Sequence, residues 1–335
     1  MAAKTVLTGV QATGMPHLGN YIGAIQPALR NAETAGGSFL FIADYHALNS
    51  VHDAAKLTRD TYEVAACWLA LGLDPARTVF YRQSDVPEIF ELTTILMAVT
   101  PKGLMDRSHA YKAACDKNRE DGRDADANVN MGLYTYPILM AADILAMRGT
   151  HIPVGHDQKQ HIEFARDIAG YFNNTFKSVL TQPEGIVQEQ SATVPGLDGR
   201  KMSKSYNNHI PLFAEPKARQ KLIMKIITDS KLPEEKKDPE GNTIFKLYTY
   251  FADAAAVAEM RAAFERGGMG YGDAKKLLAA AVETALEEPT RKYNALMADT
   301  AQIDAILAEG ARKARAVARK TLSEVRVAAG LKPLE

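Results

Sequence analysis

Three groups of residues have the types and spacing to do chemistry. The first is Gly9-Val10-Gln11-Ala12-Thr13-Gly14-Met15-Pro16-His17-Leu18-Gly19-Asn20, small residues and a histidine between a strand-like run and a helix opening at Tyr21. Amides at a helix start lack intrahelical partners and the helix dipole favours an anion, so this junction suits a phosphate, while glycines let a ligand approach the backbone. An ordinary Gly-rich turn with a surface histidine is the plainer alternative, because one such turn is a weak signal. The second group is Pro195-Gly196-Leu197-Asp198-Gly199-Arg200-Lys201-Met202-Ser203-Lys204-Ser205, whose three cations and two serines can converge on a polyphosphate. Composition alone also allows a solvated basic linker. The third is Asp143: on a helix through Tyr136 to Met147, Tyr136, Met140 and Asp143 fall at i, i+4 and i+7, which sets a carboxylate in an apolar stripe. A buried acid needs a partner, either a ligand or a neighbouring polar group.

The elements that position these groups follow from the hydrophobic pattern. Thr5 to Val10, Ser38 to Asp44, Thr78 to Gln83 and His151 to Val154 read as strands, each followed by a helical pattern: from about His17, over Lys56 to Leu71, from Pro87, and over Gln158 to Gly170. This alternation predicts an α/β fold, a Rossmann-like doubly wound parallel sheet with ligands beyond the carboxyl ends of its strands. Residues 1–195 form this unit. Within it Cys115 to Asn130 is charge-dense, and Lys117 to Asp126 is expected to be a solvated loop. Past residues 196–210 the pattern is helical only: Lys217 to Ser230, Thr243 to Phe264, Gly272 to Leu286 and Thr290 to Leu307. The chain therefore ends in an all-helical domain over residues 211–300 and a basic helix over 301–335, Ala311 to Ala329 carrying six cations against Glu324, expected to pack its Ala and Val side back on the first unit.

Composition bounds the rest. With 335 residues, 46% hydrophobic and 24% charged, the chain is of globular type and long enough for about two domains. No apolar run reaches the roughly 18 residues of a membrane span and no signal-peptide pattern opens the sequence, so a cytoplasmic location is expected. Two cysteines, Cys67 and Cys115, predict neither a disulfide framework nor a structural metal. Lys and Arg balance Asp and Glu at 40 each, yet residues 1–195 hold 16 basic and 21 acidic side chains and residues 196–335 hold 24 and 19. A polyanion would prefer the second part, since phosphate contacts need only a local patch.

Taken together, the His-Leu-Gly-Asn turn after the first strand and the Lys-Met-Ser-Lys-Ser loop after the sheet resemble the two signatures of class I aminoacyl-tRNA synthetases. Tyr136-Pro137-Ile138-Leu139-Met140-Ala141-Ala142-Asp143 and Val154-Gly155-His156-Asp157-Gln158-Lys159-Gln160-His161 narrow the resemblance to the bacterial tryptophanyl branch, and it continues through Gly310-Ala311-Arg312-Lys313-Ala314. The resemblance implies ATP at Gln11, Ala12, Thr13, His17, Gly19 and Asn20, at Gly155, Asp157 and Gln158, and along Lys201, Met202, Ser203, Lys204 and Ser205. It implies tryptophan at Leu7, Gly9, His46, Tyr136, Met140, Asp143, Ile152, Val154 and Gln158. In that branch the acid at Asp143 accepts the indole N–H, and Tyr136 and Gln158 hold the amino group. Lys201, Lys204, Ser203, His17 and Gln11 are the implied catalytic residues, with Lys112 a further candidate for reaching ATP. The implied partners are ATP with Mg2+, L-tryptophan, tRNA(Trp) and a second copy of the chain; an iron–sulfur cluster is not expected, there being no cysteine after Cys115.

The implied reaction is attack of the tryptophan carboxylate on the α-phosphorus of ATP, loss of pyrophosphate, and transfer of the acyl group to tRNA. The nucleophile is already an anion and needs no general base, in keeping with the lack of a Ser-His-Asp or Cys-His constellation. A tyrosine-specific relative shares the loops and a pocket acid. A tRNA-independent nucleotidyltransferase would need neither the helical domain nor the lysine loop. A non-catalytic paralogue would have no reason to keep His17, Gly19, Lys201 and Lys204.

Overall fold

The computed structural model describes residues 4–34, 37–154, 159–187 and 193–334. Five parallel strands make the sheet: β1 (Thr5–Gln11), β2 (Gly37–Ala43), β3 (Thr78–Arg82), β4 (His151–Val154) and β5 (Glu184–Val187). Their order is β3-β2-β1-β4-β5. Thr5 to Gln11 pair in register with Gly37 to Ala43, and Val6 pairs with His151. The chain winds outward from β1 to β3 and then returns to β4 on the other side of β1. The order reverses between β1 and β4, and the crevice at their carboxyl ends is where such a sheet takes a ligand. β2 is Ser-Phe-Leu-Phe-Ile-Ala over its buried residues, apolar without alternation because helices cover both faces. β5 was not expected; Glu184-Gly185-Ile186-Val187 has little pattern of its own, and its pairing with β4 makes it a strand.

Three sequence expectations are corrected. Lys117 to Glu120 is not loop but the end of the helix His109–Glu120. The charges lie on its outer face, while Cys115 and Asn118 point inward, and Asn118 Nδ2 donates to the Ala125 and Ala127 carbonyls at 2.9 and 2.7 Å, folding the next turns back. Thr243 to Phe264 divides into Thr243–Tyr248 and Ala254–Arg266, because Asp253 caps the second helix by accepting the Ala256 N–H at 2.8 Å. The last helices are Tyr271–Ala298, which runs through Pro289, and Thr300–Ala328.

Each sheet face has its own core. On one, Leu40, Ile42, Trp68 and Phe80 are continuous with Phe213, Ile223, Phe245, Leu278 and Leu286 of the helical part. On the other, Leu7, Phe41, Ile89, Ile144 and Phe172 pack with Ala311, Ala314, Ala318, Leu322 and Val325 of the final helix. The cations of that helix meet carboxylates: Arg312 pairs with Glu309 at 2.7 Å, Arg315 with the buried Glu88 at 3.0 Å, and Arg326 with Glu91. Where this helix crosses β3 only glycine fits, since a Cβ on Gly310 would stand 1.7 Å from the Phe80 carbonyl oxygen. Gly310→Ala is expected to lower unfolding stability by about 1–2 kcal/mol through this overpacking. A denaturant midpoint equal to the parent's would contradict the close approach.

Candidate active site

One side of the crevice is a cavity of about 150 Å³ at the reversal between β1 and β4. Leu7, Gly9 and Gln11 alternate along β1 to line one wall, Ile152 and Val154 of β4 a second, and Tyr136, Met140 and Asp143 of the helix Met131–Ala146 a third. Gly9 is required here, because a Cβ would lie 2.7 Å from the Phe41 ring that helps form the floor. Asp143 is fully buried, and burial pushes its carboxyl above the usual range against the opposing hydrogen bonds of His46 and Gln83. Gln83 Nε2 donates to both Asp143 oxygens at 2.9 Å, and His46 Nε2 lies 3.0 Å from Oδ2. Two donors from the ends of neighbouring strands thus fix the orientation of one acid in an apolar cavity. Such an acid selects a ligand N–H or O–H. Tyr136 stands edge-on to both His46 and His161, with its hydroxyl 3.5 Å from His161 Nε2.

Two further cavities adjoin His17. One is bounded by Gln11, Thr13, Gly14, Asn20, Ser203 and Lys204, the other by Gly19, Asn20, Lys201, Met202, Ser203 and Ser205. Gln11 lines both the first of these and the Asp143 cavity, so the two sides of the crevice meet at this residue. The expectation that free amides at the helix start would hold phosphate is corrected. The Leu18 N–H donates to the Ile210 carbonyl at 2.9 Å, Gly19 N–H to the Met202 sulfur at 3.3 Å, Asn20 N–H to His17 Nδ1 at 3.2 Å, and His17 N–H to Asn20 Oδ1 at 3.1 Å. A phosphate here is left to side chains. His17 is held neutral: burial, then repulsion from His209 and Lys204, lower its pKa to about 4. With Nδ1 accepting from Asn20, the neutral ring carries its proton on Nε2 and offers an uncharged donor.

The lysine loop is clasped onto this turn. Pro195 bridges Lys201, His17 bridges Pro211, and Met202 N–H donates to the Val194 carbonyl at 2.9 Å. The buried Asn208 ties it internally: Oδ1 accepts the Ser203 N–H at 2.8 Å, and Nδ2 donates to Asp198 at 2.7 Å and the Lys201 carbonyl at 3.2 Å. Gly196 is needed for proximity, as a Cβ there would sit 2.5 Å from the Asn208 side chain. Ser203 Oγ accepts the Ser205 N–H at 3.2 Å, and Lys204 Nζ donates to the Thr13 carbonyl at 2.8 Å. Burial pushes the Lys204 ammonium down, opposed by Asp60 and Glu63.

Of the sequence-derived candidates, Leu7, Gly9, His46, Tyr136, Met140, Asp143, Ile152 and Val154 share the first cavity, and Gln11, Thr13, His17, Gly19, Asn20, Lys201, Met202, Ser203, Lys204 and Ser205 gather around the other two. Ala12 does not present a side chain there; it is fully buried in the core. Gly155, Asp157 and Gln158 lie outside the described residues. Lys112 is exposed on the helix His109–Glu120 and lines none of these cavities. Gln83, His161 and Asn208 were not singled out. Gln83 and Asn208 become visible only once the topology brings a strand end to Asp143 and folds the loop on itself.

The family model described as tRNA synthetases class I (W and Y) matches residues 2–287. A tryptophan–tRNA ligase of Neisseria meningitidis is 52% identical over all of both chains. One from Pseudomonas aeruginosa is 50% identical over 98% of this chain and 74% of its own length. Among solved structures, a tryptophanyl-tRNA synthetase from Campylobacter jejuni complexed with ADP and tryptophan superposes with a TM-score of 0.90 at 42% identity, covering 98% of this chain and all of that one. A tyrosyl-tRNA synthetase from Archaeoglobus fulgidus shares the fold at a TM-score of 0.62 and 20% identity, over 87% of this chain and 90% of that one.

Proposed function

Since the chain belongs to the class I tRNA synthetases of the tryptophan and tyrosine type, we infer that it is a tryptophan–tRNA ligase, activating L-tryptophan with ATP and passing the acyl group to tRNA(Trp). Gln11 supports this assignment most directly, since it lines the Asp143 cavity and the cavity of His17 and Lys204 alike. An amino acid with its side chain against Asp143 would bring its carboxylate to the place where an α-phosphate would lie. Proximity of this kind replaces a bimolecular encounter with an in-line attack. Lys204 and Lys201 then act on the charge that moves to the leaving pyrophosphate, helped by the Nε2–H of neutral His17. Asp143 accepts the indole N–H, and the apolar walls from Leu7, Met140, Ile152 and Val154 take the ring. Magnesium is proposed to enter with ATP as the counter-ion of its phosphates, held by phosphate oxygens and water in keeping with its hydration.

The helical part, with its surplus of cations, is proposed to take the tRNA, and a homodimer in the cytoplasm is proposed from the family resemblance alone. Among the described residues no helix is long and apolar enough to cross a membrane. Charging tests the proposed function: the purified chain should esterify tRNA(Trp) with labelled tryptophan and leave tRNA(Tyr) uncharged with labelled tyrosine. Charging by tyrosine alone would move the chain to the other specificity of its family.

A further inference from the structure

Two carboxylates that the reaction does not use lie beneath the turn that Lys204 touches. Asp60 and Glu63, on the helix Ala54–Ala70, face Gly14, where a Cβ would stand 3.0 Å from Asp60 Oδ1 and 3.2 Å from Glu63 Oε2. Gly14 also has φ of +78°, so both its backbone and this approach demand glycine. Glu63 Oε2 accepts the Met15 N–H at 2.8 Å, and the buried Asp60 pairs with Lys56. The carbonyl of Thr13, one residue before Gly14, holds the Lys204 ammonium. Acids under an anion-binding turn oppose the incoming phosphate, and the exposed Lys204 is nonetheless held on a neutral carbonyl rather than left in water. Both oddities are resolved by one role. Asp60 is already offset by Lys56, whereas Glu63 meets only a neutral amide.

We propose that Glu63, seconded by Asp60, parks the Lys204 ammonium on the Thr13 carbonyl in the nucleotide-free enzyme, so that a triphosphate must draw the lysine off as it binds. The proposal rests on the reading of Lys204 as a phosphate ligand. Glu63 is then a positioning residue acting through Lys204. Its consequence is that ATP binding is weaker than the cations of the loop would allow, because part of the interaction is spent on releasing the lysine.

Glu63→Gln keeps a carbonyl oxygen for the Met15 N–H and removes the charge. Calorimetric titration of the full chain with a non-hydrolysable ATP analogue should show binding tightened about threefold, within the range of interactions between solvent-exposed charges. AMP, which lacks the phosphates that Lys204 would meet, should bind unchanged, and so should tryptophan. In a Lys204→Ala background the same substitution should have no effect on the analogue. Asp60→Asn should shift binding in the same direction by less. Unchanged or weaker analogue binding in Glu63→Gln would overturn the proposal, as would equal tightening in the Lys204→Ala background, which would make Glu63 a general repeller of phosphate. If the parent chain failed to exchange pyrophosphate with tryptophan, the functional reading would fall, while the analogue titrations would still decide whether the lysine is parked.

Discussion

Lys204→Ala is expected to slow tryptophan-dependent exchange of labelled pyrophosphate into ATP by about a hundredfold, the usual cost of removing one group that meets developing charge in the transition state. Lys204 shares a cavity with Gln11, Thr13 and His17, and its ammonium already rests 2.8 Å from the Thr13 carbonyl, within the phosphate side of the crevice. Negative charge grows on the leaving pyrophosphate in the transition state, so a cation reaching it there lowers the barrier rather than merely tightening substrate binding. The loop should keep its shape without the lysine side chain, because Asn208, Asp198 and the Met202–Val194 bond hold its backbone. Tryptophan affinity should stay at the parent's value, since Lys204 does not line the Asp143 cavity. Exchange at the parent's rate would remove Lys204 from the mechanism.

Asp143→Ala is expected to weaken tryptophan binding by about a hundredfold while leaving affinity for an ATP analogue near the parent's value. The substitution strands the indole N–H in an apolar cavity, a loss of roughly 1–3 kcal/mol, and also strands the Gln83 amide and the His46 ring that now donate to the carboxylate. Asp143→Asn guards against a variant that fails for folding reasons. It keeps the shape and one acceptor oxygen, and with Gln83 and His46 competing for that oxygen it should lose an intermediate amount. Equal tryptophan affinity in calorimetry for the alanine variant would refute the assignment of the pocket.

Much of this site was legible because it depends on local chemistry. The His17 turn and the Tyr136-Met140-Asp143 face are set by residue type and period, whereas Leu7 and Gly9 of β1 were implied only by the family resemblance, and the sheet assembles them all at its reversal point. What was illegible depends on contacts between distant segments. The amides at the start of the helix were expected to be free, but Ile210 and Met202 come back to occupy two of them. Gln83 is a lone glutamine at a strand end, and no spacing marks it as the holder of an acid 60 residues away. Lys117 to Glu120 was expected in a loop by charge density, although a helix with one buried edge tolerates dense charge on its outer face. Thr243 to Phe264 carried one periodicity across a break that only the Asp253 cap defines.

A single crevice, joined at Gln11, is proposed to bring an indole selected by Asp143 to a triphosphate handled by Lys201 and Lys204. Pyrophosphate exchange into ATP by the intact chain, run in parallel with tryptophan and with tyrosine, tests it most directly. Rapid exchange is expected with tryptophan and a background rate with tyrosine. Exchange that is independent of amino acid, or faster with tyrosine than with tryptophan, would contradict it.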